Sequence, residues 1–90
     1  MDEITILRKK LIYQSWHRGC KETDIILGDF AKDSIHHLST EELYLYQEFL
    51  SEDDWDIYAW IVGREEAPKK YQSWLISKII EKVTPKTLNQ

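Results

Sequence analysis

The sequence is short of breaks and of reactive side chains. It has three Gly and two Pro in 90 residues, and a single Cys. Few breakers favour an all-helical chain, because Gly and Pro punctuate turns and hairpins. One Cys excludes an internal disulfide and fits a reducing compartment. No run of about 18 apolar residues is present, which excludes a membrane-spanning helix. There is no β-branched alternation bounded by hairpin turns, no internal repeat, no low-complexity tract and no glycine-rich phosphate loop. Basic residues are outnumbered, 12 Lys and Arg against 16 Asp and Glu, for a net charge of −4. That balance speaks against nucleic acid, whose binders carry a basic patch. The first ten residues, MDEITILRKK, have neither an apolar h-region nor Arg/Ser-rich character. No signal or transit peptide is expected, and the expected location is the cytoplasm, with a leaning towards a bacterial source.

What the chain does have is aromatic side chains and helical periodicity. Four Trp, five Tyr and two Phe can bury much area in a small core or form a binding face. One domain over residues 1–90 is expected, all-α, as a compact bundle of five short helices with its core over about 3–83. The first helix covers about 3–17, with Ile4, Leu7 and Leu11 on one stripe and Ile12 and Trp16 on another. Gly19 stands where a left-handed residue ends a helix. The second helix begins near Lys21 or Glu22, and Gly28 in its interior predicts close approach of a neighbour. Ser39 and Glu42 form a capping box for the third, with Leu38 and Leu43 at the staple positions. Its inward stripe is Leu43, Tyr46 or Gln47, and Leu50, widened by Tyr44, Leu45 and Phe49. Ser51 or Asp54 caps the fourth, which carries Ile57, Trp60 and Ile61 inward and stops at Gly63. The last runs from about Lys69 to Val83, with Trp74 towards its polar side. Residues 84–90 read as a loose tail.

Few residues are arranged for chemistry. Cys20 lies three residues from His17, but no third group orients a base. His36 and His37 are adjacent and do not make a zinc set. Asp53, Asp54 and Asp56 lack the glycine and bidentate Glu of a calcium loop. No catalytic residue, metal or tightly bound cofactor is expected. What remains is the joint between the first two helices, WHRGCKETD. Arg18 and Glu22 flank a tight turn at Gly19, beside Trp16, where both side chains are expected to reach water. Two readings stand side by side: a C-capping Gly between a helix-end cation and a helix-start anion, or a rigid turn that presents a cation and an anion beside Trp16 as a docking surface.

At these residues the sequence resembles a family. RGCKETDIILGDFA resembles the R-G-x-x-E signature, with its following aspartate and apolar run, of the succinate dehydrogenase flavinylation factors. FLSEDDWDIYAWIVG is similar to the family's D-D-x-D-L-x-x-W-L block, with Asp53, Asp54, Asp56, Ile57, Trp60 and Ile61 in the matching places. The resemblance covers about residues 5–83. Two positions depart from it. His17 stands where many bacterial members have a second basic residue, and Trp55 where Pro is frequent. A Pro there would open the helix, which favours Asp54 over Ser51 as its cap.

The resemblance implies a five-helix assembly factor that is not an enzyme. It would bind the flavoprotein subunit of succinate dehydrogenase, and in some bacteria that of fumarate reductase. It would promote covalent attachment of FAD to a histidine of that client, without holding FAD tightly itself. Arg18, Gly19 and Glu22 would face the client, with His17 and Asp24 as neighbours. A monomer is expected, with no membrane insertion. The alternative is an antitoxin-like regulatory module that binds another protein. A helix-turn-helix DNA reader is disfavoured, because Glu22, Asp24, Asp29 and Asp33 outnumber Lys21 and Lys32 on the helix that would read DNA.

Overall fold

A few polar side chains set where each helix starts. The computed structural model describes residues 2–88, with side chains through Lys82. Helix α1 spans Glu3–Trp16, and the Asp2 carboxylate caps it by accepting from the Thr5 N–H at 2.7 Å. That bond holds the Asp2 carboxyl below its ordinary range. Helix α2 spans Lys21–Ser34 and runs into a 3-10 turn, Ile35–His37. Helix α3, Thr40–Leu50, opens on the predicted capping box: the Ser39 hydroxyl accepts from the Glu42 N–H at 3.2 Å, and the Glu42 carboxylate accepts from the Ser39 N–H at 2.8 Å. Leu38 and Leu43, on either side, are both buried. Helix α4 spans Asp54–Val62 and stops at Gly63, whose φ is +83°. A single turn, α5 (Lys69–Gln72), precedes α6 (Leu75–Leu88).

Several expectations change in the loops. The cap of α4 is Asp53, neither Ser51 nor Asp54, and its carboxylate accepts from the Trp55 N–H at 2.8 Å. Ser51 instead closes α3, donating its hydroxyl to the Glu48 carbonyl at 2.5 Å. The last expected helix is split. The Ser73 hydroxyl donates to the Lys70 carbonyl at 3.2 Å and the Tyr71 N–H to the Pro68 carbonyl at 3.0 Å. The helix breaks at Ser73 and Trp74, before α6 begins. Helix α6 then runs past Val83 to Leu88. The side chain of Val83 and residues 89–90 of the expected tail lie outside the described residues. Trp74 is partly buried against the core rather than on a polar face. Tyr44 is 52% exposed instead of widening the buried stripe of α3.

The core draws on every helix. Leu11, Leu27, Phe30, Leu43, Phe49, Ile57, Tyr71, Leu75 and Ile79 are fully buried. α1 packs against α2 and α3, and α2 also touches α4 and α6. Most of the aromatics serve this core. Phe49 packs edge-on to Tyr71 at 5.0 Å and lies 6.0 Å from Trp60, and Phe30 lies 5.3 Å from Tyr46. The Tyr46 hydroxyl is satisfied inside, 2.5 Å from Ser15 Oγ, which in turn donates to the Leu11 carbonyl at 2.7 Å. The predicted close approach at Gly28 is made by Trp16. A Cβ at Gly28 would overlap the Trp16 ring. That contact clamps the end of α1 onto α2 and so fixes the turn between them.

Candidate functional site

The turn from α1 into α2 occupies residues 17–20. Gly19 adopts φ +98°, a region that other residues seldom enter. A Cβ added there would meet nothing within 4 Å. The glycine is therefore demanded by the backbone, and its bare main chain faces open space.

Arg18 does not reach water as expected. Its side chain is only 10% exposed. Nε donates to Asp54 Oδ1 at 2.5 Å, Nη1 to the Leu50 carbonyl at 2.5 Å and Nη2 to the Glu52 carbonyl at 2.7 Å. All three nitrogens of the fork are thus spent on the α3–α4 loop. Such a planar, multidentate guanidinium is a strut that lysine cannot copy. Asp24 is also used internally, accepting from the Arg18 N–H at 2.7 Å. Thr23, fully buried, donates its hydroxyl to the Cys20 carbonyl at 3.0 Å and lies 3.4 Å from Asp54 Oδ1. Asp54 therefore accepts from Arg18 and lies against the Thr23 hydroxyl, which joins the start of α2 to the start of α4.

Glu22 keeps its expected exposure. The Cys20 thiol lies 3.4 Å from Glu22 Oε2. His17 is exposed and stacks on Tyr13, with ring centroids 4.0 Å apart and Nδ1 2.8 Å from the Tyr13 carbonyl. It faces a neighbouring groove shared with Gln47 and Leu50.

The strut has a consequence for the surface. Gly19, Lys21 and Glu22 share one open groove with Glu52, Asp53, Asp54 and Trp55. Two sequence blocks about 30 residues apart thus form a single face. Sequence reasoning missed three of its parts: Thr23, the load on Asp54, and Trp55 as a wall. Only the presence of Asp54 and Trp55 in the second motif block hinted at them. The ring of His17 is engaged at Tyr13, and the Cys20 thiol lies beside the Glu22 carboxylate. Among the described residues, no group of three or more His, Cys, Asp or Glu could hold a metal ion. Nor is any helix among them long and apolar enough to cross a membrane.

A family model described as "Flavinator of succinate dehydrogenase" matches residues 9–83. The chain is 40% identical over 84 residues to a Komagataella phaffii protein named "Succinate dehydrogenase assembly factor 2, mitochondrial", covering 93% of this chain and 44% of that one. A protein of the same name from Dictyostelium discoideum is 39% identical over 79 residues, 88% of this chain and 56% of the relative. The Schizosaccharomyces pombe protein of that name is 44% identical over 73 residues, 81% of this chain and 52% of the relative. The chain spans about half the length of these curated relatives. All three are named mitochondrial, which overturns the expectation of a cytoplasmic location and removes support for the bacterial leaning.

Proposed function

The chain belongs to the family of succinate dehydrogenase flavinators, and from that membership we propose that it docks on the flavoprotein subunit of succinate dehydrogenase and promotes covalent attachment of FAD to it. The observation that carries this reading is the convergence of the R-G-x-x-E turn and the D-D-W-D block on one open groove. The groove faces outward at Gly19 and Glu22, and it is braced from behind by Arg18 and Asp54.

On this reading the protein acts as an assembly factor and not as a catalyst. The bond forms between a client histidine and the flavin, and the chemistry is the cofactor's own. This chain binds one client conformation better than others, and its differential affinity raises the population in which the histidine faces the flavin. FAD stays with the client throughout.

A pull-down with the flavoprotein subunit of the same organism, followed by in-gel flavin fluorescence, tests the proposal. A 1:1 complex and a rise in covalent flavin are expected. No complex and no change in flavin would refute it and leave the antitoxin-like module as the reading to pursue.

A further inference from the structure

Single exposed apolar side chains are ordinary on protein surfaces. Trp55 is different because of where it stands. Its indole is 79% exposed, yet its backbone is fixed by the Asp53 cap at the start of α4. With Tyr58 it walls a groove of about 200 Å³ that is completed by Cys20, Glu22 and Asp54. Among the described residues, two aromatic rings and two carboxylates line this space with Cys20, while Arg18 and Lys21 line the adjoining groove. Asp54 is already committed to Arg18, which leaves Glu22 as the charge available to a partner. Tyr58 already has Arg64 of the same chain 6.0 Å above its ring, so Trp55 is the ring left to receive a foreign group. The nearby helix starts do not reverse this preference. Asp53 caps α4, and Glu22 and Asp24 lie in the first turn of α2, so both positive helix ends already face acids.

A flat cation satisfies both walls at once. A guanidinium stacks on an indole face more readily than an ammonium does, and it pairs bidentately with a carboxylate. We propose that this groove seats an arginine side chain on an exposed segment of the flavoprotein client, with Trp55 stacking on the guanidinium and Glu22 pairing with it. The proposal rests on the docking function above.

Two measurements separate it from that function. In the first, the isotope-labelled protein alone is titrated with N-acetyl-arginine amide and, separately, with the neutral N-acetyl-citrulline amide. The Trp55 indole N–H and the Glu22 amide signals should move with arginine only, and Trp55→Ala or Glu22→Gln should abolish the shift. In the second, client binding is measured by calorimetry. Trp55→Ala should weaken it about 10-fold, Trp55→Phe much less, and the Glu22→Gln loss should shrink as salt rises. Trp55 is exposed, so an unchanged urea midpoint should certify the fold of each variant. Arginine and citrulline acting alike would overturn the clamp even if the client binds. Equal client affinity for wild type and Trp55→Ala would also overturn it while leaving the docking function intact. An arginine-specific shift with no client binding at all would refute the docking function instead, and with it the client as the source of the arginine.

Discussion

Arg18 and Asp54 stand 36 residues apart in the chain and meet at 2.5 Å. That contact ties the turn after α1 to the start of α4. The open groove is a property of this joint rather than of either segment. Gly19 and Glu22 line the open groove, while the Arg18 guanidinium is held on Asp54 and the Leu50 and Glu52 carbonyls.

Replacing Arg18 should therefore cost stability first. Arg18→Ala strands the Leu50 and Glu52 carbonyls and the Asp54 carboxylate in a part-buried site. The expected loss is about 3 kcal/mol, read from the urea midpoint. Arg18→Lys should recover only part of it, since an ammonium cannot span three acceptors. An Arg18→Ala protein with the wild-type midpoint that fails to bind the client would mean that Arg18 is a contact residue after all.

Glu22 should behave in the opposite way. It is exposed, and the Cys20 thiol lies 3.4 Å from its carboxylate. Glu22→Ala should leave the urea midpoint within about 0.5 kcal/mol of wild type while weakening client binding. Unfolding of the variant would instead make Glu22 a structural residue.

This division of labour was only partly legible in the sequence. Local signals read correctly. The Ser39–Glu42 capping box and the Gly63 stop depend on residues within a turn of each other, and Gly28 announced a close neighbour. Signals that depend on distant partners did not. A cation beside a tight turn reads equally well as solvated or as a strut, and only the position of the Leu50–Glu52 carbonyls decides. In the run SEDD three side chains, Ser51, Asp53 and Asp54, compete to cap α4. Asp53 takes the role because Ser51 is spent on ending α3. Apolar periodicity runs unbroken through Ser73, so nothing in it announced the split between α5 and α6.

The Trp16–Gly28 contact predicts a coupled pair. Gly28→Ala must push the Trp16 ring aside, at a cost of about 1–3 kcal/mol, with a change in tryptophan fluorescence. In a Trp16→Ala background the same substitution should be nearly neutral, because the clash is gone. Additive losses in the double mutant would show that the two residues do not share a contact. Gly19→Ala should cost about 1–2 kcal/mol through its positive φ alone, since no neighbour crowds it.

High pH should loosen the fold through two tyrosines. Burial pushes the Tyr46 phenol well above its ordinary value of 10.0, and burial together with its hydrogen bond to Glu52 does the same for Tyr71. A raised folded-state value means that the native state holds these protons more tightly than the unfolded chain. The stabilisation is fully present below pH 10 and is lost as pH rises from there through the folded values. Melting temperature should fall steeply above about pH 10, and Tyr46→Phe should make that fall shallower. A melting temperature that is flat across this range would contradict the burial of both hydroxyls.

The most direct test is covalent flavin on the succinate dehydrogenase flavoprotein subunit, read by in-gel fluorescence after co-expression with wild type, with Glu22→Ala and with no factor. The account predicts a strong band with wild type, and with Glu22→Ala, although folded, little more than the band seen without the factor. Equal bands in all three lanes would contradict it.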